Sequence, residues 1–131
     1  MRRSLEIDER SFGSDHPNVG RDLNNLAQLL KATNRLAEAE PLMRRSLEID
    51  ERSFGSDHPK IGIRLNNLAQ LLQATNRLSE AEPLMQRAVE IFTASLGSEH
   101  PSTITVSENY ALLLQAMEGS GRKGWFKRLF G

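Results

Sequence analysis

Apolar residues return along this chain at steps of three and four. Val19, Leu23, Leu26, Ala27 and Leu30 fall on one stripe of a helix. Asn34 and Arg35 break the pattern and mark a turn. Two adjoining apolar rows follow: Ala39, Met43, Leu47 and Phe54 beside Leu42, Ser46 and Ile49. A helix with two such rows is expected to be covered on two sides. Gly55 ends it as a glycine C-cap, and Pro17 suits a first helical position, where its missing N–H is not needed. In the second copy of this helix, Ser79 followed three residues later by Glu82 reads as a capping box, with Pro83 close enough to the helix start to cost little. The pattern predicts helices near 1–12, 17–33, 37–54, 59–75, 79–96 and 101–117.

These helices are copies of one another. The segment MRRSLEIDERSFGSDHP at residues 1–17 recurs unchanged at 43–59, a period of 42. Over that period only positions 18, 19, 21, 22, 31 and 37 differ from their counterparts. A third, diverged copy starts at Met85, keeps Gly97, His100, Pro101, Asn109 and Ala111, and fades after Met117. The expected organisation is an array over 1–117, with copies starting at 1, 43 and 85, followed by a glycine-rich join and a basic-aromatic tail over 118–131. No single copy can bury its two apolar faces alone, so the copies must stack. The framing leaves a second helix at the start and a first helix at the end, each without its natural partner.

Charge sharpens this division. The chain has 17 cations and 17 acids in all. From Gly119 onward there are four cations (Arg122, Lys123, Lys127, Arg128) and no acids, so the body before it is acidic by the same four charges. A mildly acidic body is a poor nucleic-acid surface, which calls for a basic stripe and stacking aromatics. The absence of cysteine excludes disulfides and thiolate metal sites. The longest apolar run, Tyr110 to Leu114, is far short of the roughly 20 residues a membrane span needs. Glu6 and Asp8 interrupt the place where a signal peptide needs an apolar run. A cytoplasmic location is the expectation.

The run LNNLAQLLKATNRLAEAEPLMRRSLEI followed by GSDHP resembles the 42-residue tetratricopeptide variant of kinesin light chains and related bacterial repeat proteins. The likeness covers nearly all of residues 1–117. It implies an all-α solenoid of helical hairpins, about six repeat helices plus a short C-terminal segment, with Leu26, Ala27, Leu30, Ala39 and Met43 at the packing positions of the repeat. It also implies a concave face, made by the first helices, that binds short peptides. One asparagine of each LNNLA motif belongs to that contact in the family. By position these are Asn24 and Asn66, while the third copy departs from the pattern with Glu108.

The same face can be read from the helix itself. Offset from the packed stripe lie Arg21, Asn24, Gln28 and Lys31. One period later come Ile63, Asn66, Gln70 and Gln73, and then Thr105, Glu108, Leu112 and Gln115. Amide side chains both donate and accept, so such a ladder suits the backbone of an extended peptide; the alternative is a plain solvated face. The second asparagine, Asn25, Asn67 or Asn109, is expected to bond between helices instead.

His16, His58 and His100, each preceded by an acid, invite a metal assignment. Ligands must converge on one ion, whereas equivalent residues of stacked copies sit in separate turns. A structural turn ahead of Pro17, Pro59 and Pro101 is the better reading. Serine, aspartate and histidine likewise recur with the scaffold and not as a unique triad, and no phosphate loop is present. No cofactor and no enzymatic activity are expected.

In the tail, Trp125, Phe126, Leu129 and Phe130 would share one side of a short helix. Three readings compete: a cap docked over the last repeat helix, an anchor touching a membrane surface, and a disordered end. Docking is preferred. The expected function is a protein interaction scaffold that holds a peptide or protein segment in the groove. The alternative is a structural module that associates with copies of itself through its open ends.

Overall fold

The computed structural model of the protein describes residues 16–118. Five α-helices follow one another: α1 (Pro17–Ala32), α2 (Leu36–Phe54), α3 (Pro59–Ala74), α4 (Leu78–Leu96) and α5 (Pro101–Met117). All lie within one residue of the bounds predicted from the sequence. The helix expected at 1–12 and the tail residues Trp125, Phe126, Leu129 and Phe130 fall outside the described residues.

Each helix packs chiefly on its neighbours in sequence, and the hairpins α1–α2 and α3–α4 are tighter than the junctions α2–α3 and α4–α5. This is the solenoid arrangement. The predicted stripe is buried in full at Val19, Leu23, Leu26, Ala27 and Leu30, and its counterparts Ile61, Leu65, Leu68, Ala69 and Leu72 are buried as well. Most of these side chains join a core running from α1 to α5, while Val19, Leu23 and Ile49 form a smaller cluster at the first hairpin. Burying a large apolar side chain contributes about 1.5–3 kcal/mol, so the stack is held mainly by these positions.

The turns repeat as faithfully as the core. Asn34 and Asn76 take left-handed φ values of 61° and 60°, a conformation that asparagine tolerates better than most residues. Gly55 and Gly97 end α2 and α4 with φ of 84° and 88°. Their N–H groups donate to the carbonyls of Glu51 and Thr93.

The capping box expected at Ser79 and Glu82 does not form. Helix α4 begins one residue earlier, with Arg77 as its cap and no side-chain cap bond. Leu78 is packed on the core, and that burial draws the helix start ahead of Ser79. Glu82 instead accepts a hydrogen bond from the Tyr110 hydroxyl at 3.1 Å. Pro41 and Pro83 lie inside their helices. Each therefore forgoes one helical bond, to the carbonyl of Ala37 or Ser79. Those residues are exposed, so water can satisfy the freed carbonyls.

Candidate functional site

The three first helices, α1, α3 and α5, carry the predicted groove positions one period apart. Exposure along this row changes from copy to copy. In α1, Arg21 is exposed, Gln28 and Lys31 are half-buried, and Asn24 is buried with 8% of its surface accessible. In α3, Ile63 is exposed and Asn66, Gln70 and Gln73 are half-buried. In α5, Thr105, Glu108, Leu112 and Gln115 are all exposed.

The two asparagines of each motif act together across copies. Asn67 Nδ2 donates to Asn24 Oδ1 at 3.3 Å, and Asn109 Nδ2 donates to Asn66 Oδ1 at 3.4 Å. The inter-helix role expected for the second asparagine therefore holds at Asn67 and Asn109, whereas Asn25 is exposed. The bonds also involve the first asparagine, which the sequence assigns to the groove alone.

Beside Asn66 a cleft of about 270 Å³ opens between α3 and α5. Ile63, Phe92, Pro101, Ser102, Thr105 and Val106 complete its lining. The cleft lies at the second junction. At the first junction, Asp50 stands where Phe92 stands at the second, and Arg64 stands where Val106 stands. There, Arg64 Nε donates to Asp50 Oδ2 at 2.6 Å, with the Asp50 side chain only 1% accessible. Periodicity alone does not reveal this pair. Its signal in the sequence is the charge reversal from Asp22 to Arg64 at one of the six positions where the first two copies differ.

Glycine lets each hairpin close beneath these side chains. A Cβ on Gly20 would come within 2.7 Å of Asp50 Oδ1, and one on Gly62 within 2.9 Å of the Phe92 ring. Both positions therefore exclude a side chain in the present packing.

The histidines belong to the scaffold. His16, His58 and His100 are the N-cap residues of α1, α3 and α5, and each Nδ1 accepts the backbone N–H two residues on, at 3.1, 3.1 and 3.0 Å. The imidazole thus does the work usually given to Ser, Thr, Asp or Asn at this position. Among the described residues no group of three His, Asp or Glu could hold a metal ion, and no helix is long and apolar enough to cross a membrane.

One charged network crosses the rim between copies. Arg77 bonds both Glu40 of α2 and Glu80 of α4, and Arg44 Nε donates to Glu40 at 3.0 Å. The bond from Arg77 holds the Glu80 carboxyl below its ordinary range, and Glu80 first, then Glu40, raises the Arg77 guanidinium. On the side of the long turns, Arg87 pairs with Glu51 at 3.2 Å and donates to the Ser56 carbonyl at 3.1 Å.

Residues 1–52, 23–94 and 65–120 match the tetratricopeptide repeat family. Among solved structures, the chain is similar to a Podosopora anserina protein described as a kinesin light chain with nearly identical TPR-like repeats. Identity is 28% and the TM-score 0.81, over 88% of this chain and 55% of that one. A variant of the same protein gives a TM-score of 0.74 at 27% identity, over 91% of this chain and 56% of that one. BtubC (BKLC) from P. vanneervenii gives 0.78 at 21% identity, over 88% and 45%, a likeness of fold alone. The chain spans about half the length of these structures. No curated protein matches it.

Proposed function

The chain belongs to the tetratricopeptide repeat family and is kinesin light chain-like, and on that premise we propose that it holds an extended peptide across its first helices. Tetratricopeptide repeats are scaffolds for protein–protein interaction, and that general role extends to this chain. The finer reading rests on one observation. Amide side chains recur on α1 and α3, with Asn24 and Gln28 matched by Asn66 and Gln70 and Gln73 added on α3; all but the buried Asn24 are half-buried, and Asn66 lies beside an apolar cleft. Such a row suits a peptide backbone, whose N–H and C=O groups recur along its length. Charge complements it: Arg21 and Lys31 lie at the first copy and Glu108 at the third. A peptide with acidic residues toward α1 and basic residues toward α5 fits this gradient.

The test uses a panel of capped nonapeptides, Glu-Glu-Ser-X-Ser-X-Ser-Lys-Lys with each amino acid in turn at X, and the charge-reversed panel. Fluorescence anisotropy measures their binding to the wild type and to Gln70→Ala/Gln73→Ala. Each lost hydrogen bond is worth about 0.5–1.5 kcal/mol, so the variant is expected to bind several-fold to about a hundredfold more weakly with its helicity unchanged. Equal binding by both proteins, or no binding by the wild type, would count against the groove.

A second reading, self-assembly, draws on α5. Ala111 is exposed and Leu114 half-buried, although their counterparts Ala69 and Leu72 are fully buried under a following helix. A second copy is one candidate to cover this face, and residues 122–130 are another. Sedimentation with and without residues 119–131 separates them. Association that appears only in the shortened chain assigns the cover to the tail, and association of both forms assigns it to a second copy.

A further inference from the structure

An asparagine side chain ends in one oxygen that accepts and one NH₂ group that donates, on opposite sides of a planar amide. Whatever engages one side decides which side remains for a ligand. At Asn66 the decision is made by the neighbouring copy, because Asn109 Nδ2 donates to Asn66 Oδ1 at 3.4 Å. Asn66 also lines the cleft between α3 and α5. Among the described residues no acceptor is bonded to its Nδ2. We infer that Asn109 is a positioning residue for the groove: by engaging Oδ1 of Asn66, it turns that amide into a donor that reads a backbone carbonyl of the bound peptide.

This inference rests on the groove reading and gives it a direction. The equivalent bond from Asn67 to Asn24 orients the first copy in the same way. Asn24 is largely buried and Asn66 is not, so Asn66 carries the contact. The site therefore selects for a peptide whose backbone carbonyl is free to accept at Asn66. Glu108, in the position that Asn24 and Asn66 occupy, offers an acceptor where they offer donors. It ends the row of donors at the third copy and favours a basic residue or a free N–H of the peptide.

A double-mutant cycle tests this with the tightest peptide of the nonapeptide panel as probe. Asn66→Ala and Asn109→Ala are each expected to weaken binding by about three- to tenfold, the effect of one hydrogen bond. The double variant is expected to bind no more weakly than Asn66→Ala, since Asn109 acts only through Asn66. Asn109→Asp adds an orientation readout. An aspartate only accepts, so Asn66 must turn its Nδ2 toward it and show Oδ1 to the peptide. Binding is then expected to fall as far as in Asn109→Ala, while the melting temperature stays near that of the wild type. Wild-type affinity in Asn109→Asp or Asn109→Ala, or additive losses in the double variant, would overturn the positioning role and leave the groove standing. Unchanged binding in Asn66→Ala, or no panel member bound by the wild type, would remove the groove contact and this inference together.

Discussion

The two junctions between helical hairpins, α2–α3 and α4–α5, occupy equivalent positions in a chain whose first two copies are nearly identical, and they are sealed by opposite chemistry. At the first, Asp50 of α2 meets Arg64 of α3 in a buried ion pair. At the second, Phe92 of α4 lies beside Val106 of α5, and Thr103 donates its hydroxyl to the Phe92 carbonyl at 3.2 Å. Copies with the same helices and turns can be stacked in the wrong order or register, because every apolar stripe fits every other. A charged pair closes one junction and an aromatic ring packs at the other, so the two interfaces are not chemically alike. At the apolar junction a cleft opens beside Asn66, and Phe92 and Val106, which seal that junction, also line the candidate site.

The largest break in this comparison comes from splitting the ion pair. Arg64→Val alone leaves the Asp50 carboxylate buried without its partner, which typically costs about 3–5 kcal/mol. Asp50→Phe together with Arg64→Val copies the second junction into the first. Gly20 is already present to admit the ring, as Gly62 admits Phe92. Replacing a buried pair by packed apolar groups is often neutral or stabilising by about 1–4 kcal/mol. Urea unfolding followed by circular dichroism is therefore expected to show a large loss in the single variant and recovery in the double. A loss below about 1 kcal/mol in Arg64→Val would mean that water reaches the pair and that it does not define the junction.

The fold was legible because each signal is written more than once. A stripe such as Val19, Leu23, Leu26, Ala27 and Leu30 is repeated 42 residues later with one conservative change, Val19 to Ile61. Turn residues with special φ recur at the same offsets. What repeats, however, says little about how copies differ, and the junctions depend on those differences. Asp50 and Phe92 read simply as a polar and an apolar residue on α2 and α4 until the packing sets them opposite Arg64 and Val106. The capping box failed for another physical reason. A local pattern at Ser79 and Glu82 competes with burial of Leu78, and burial is worth more. At the candidate site, the row of amides was visible from helical spacing, but the bonds Asn67 to Asn24 and Asn109 to Asn66 depend on the offset between neighbouring copies, which no single helix encodes. The histidine caps are not legible from residue type, because Ser, Thr, Asp and Asn are the usual N-caps, although a polar residue just ahead of a proline at each helix start marks the place.

Those caps give a medium-sized test that both junctions should answer alike. His58 and His100 each satisfy one backbone N–H at the start of a first helix. Loss of an N-cap side chain costs about 0.5–2 kcal/mol, so His58→Ala and His100→Ala are expected to lower stability by similar amounts. The first junction should lose slightly more. The His58 ring lies 5.0 Å from that of Phe54, and Lys60 Nζ sits 4.7 Å from the centre of the same ring. Position 96 in the next copy holds a leucine, so His100 has no such ring there. His58→Asn restores the cap and not the ring contact, so its remaining deficit measures the aromatic share. A larger loss at His100 than at His58 would contradict this ranking.

The smallest effect belongs to the rim, where the two junctions again differ in kind. Arg77 spans from Glu80 to Glu40 at the first, while at the second the counterpart of Glu40 is Glu82, which takes the Tyr110 hydroxyl. The Arg77 side chain is 39% and that of Glu80 52% accessible to water, so the pair is screened and contributes little. Its sign is nevertheless fixed. The Glu80 carboxyl is held below its ordinary value of 4.5 by the bond from Arg77. A group depressed in the folded state favours folding above that ordinary value, and the benefit fades as pH falls through the lower, folded value. Glu80→Gln removes the charge at every pH. Urea midpoints of the wild type and this variant should therefore differ slightly at neutral pH and draw together once the medium is acidic enough to protonate Glu80. High salt at neutral pH should narrow the same gap, because exposed charges are screened. A gap that persists in acid would assign the effect to packing of the side chain, and the rim would then cease to distinguish the first junction from the second on electrostatic grounds.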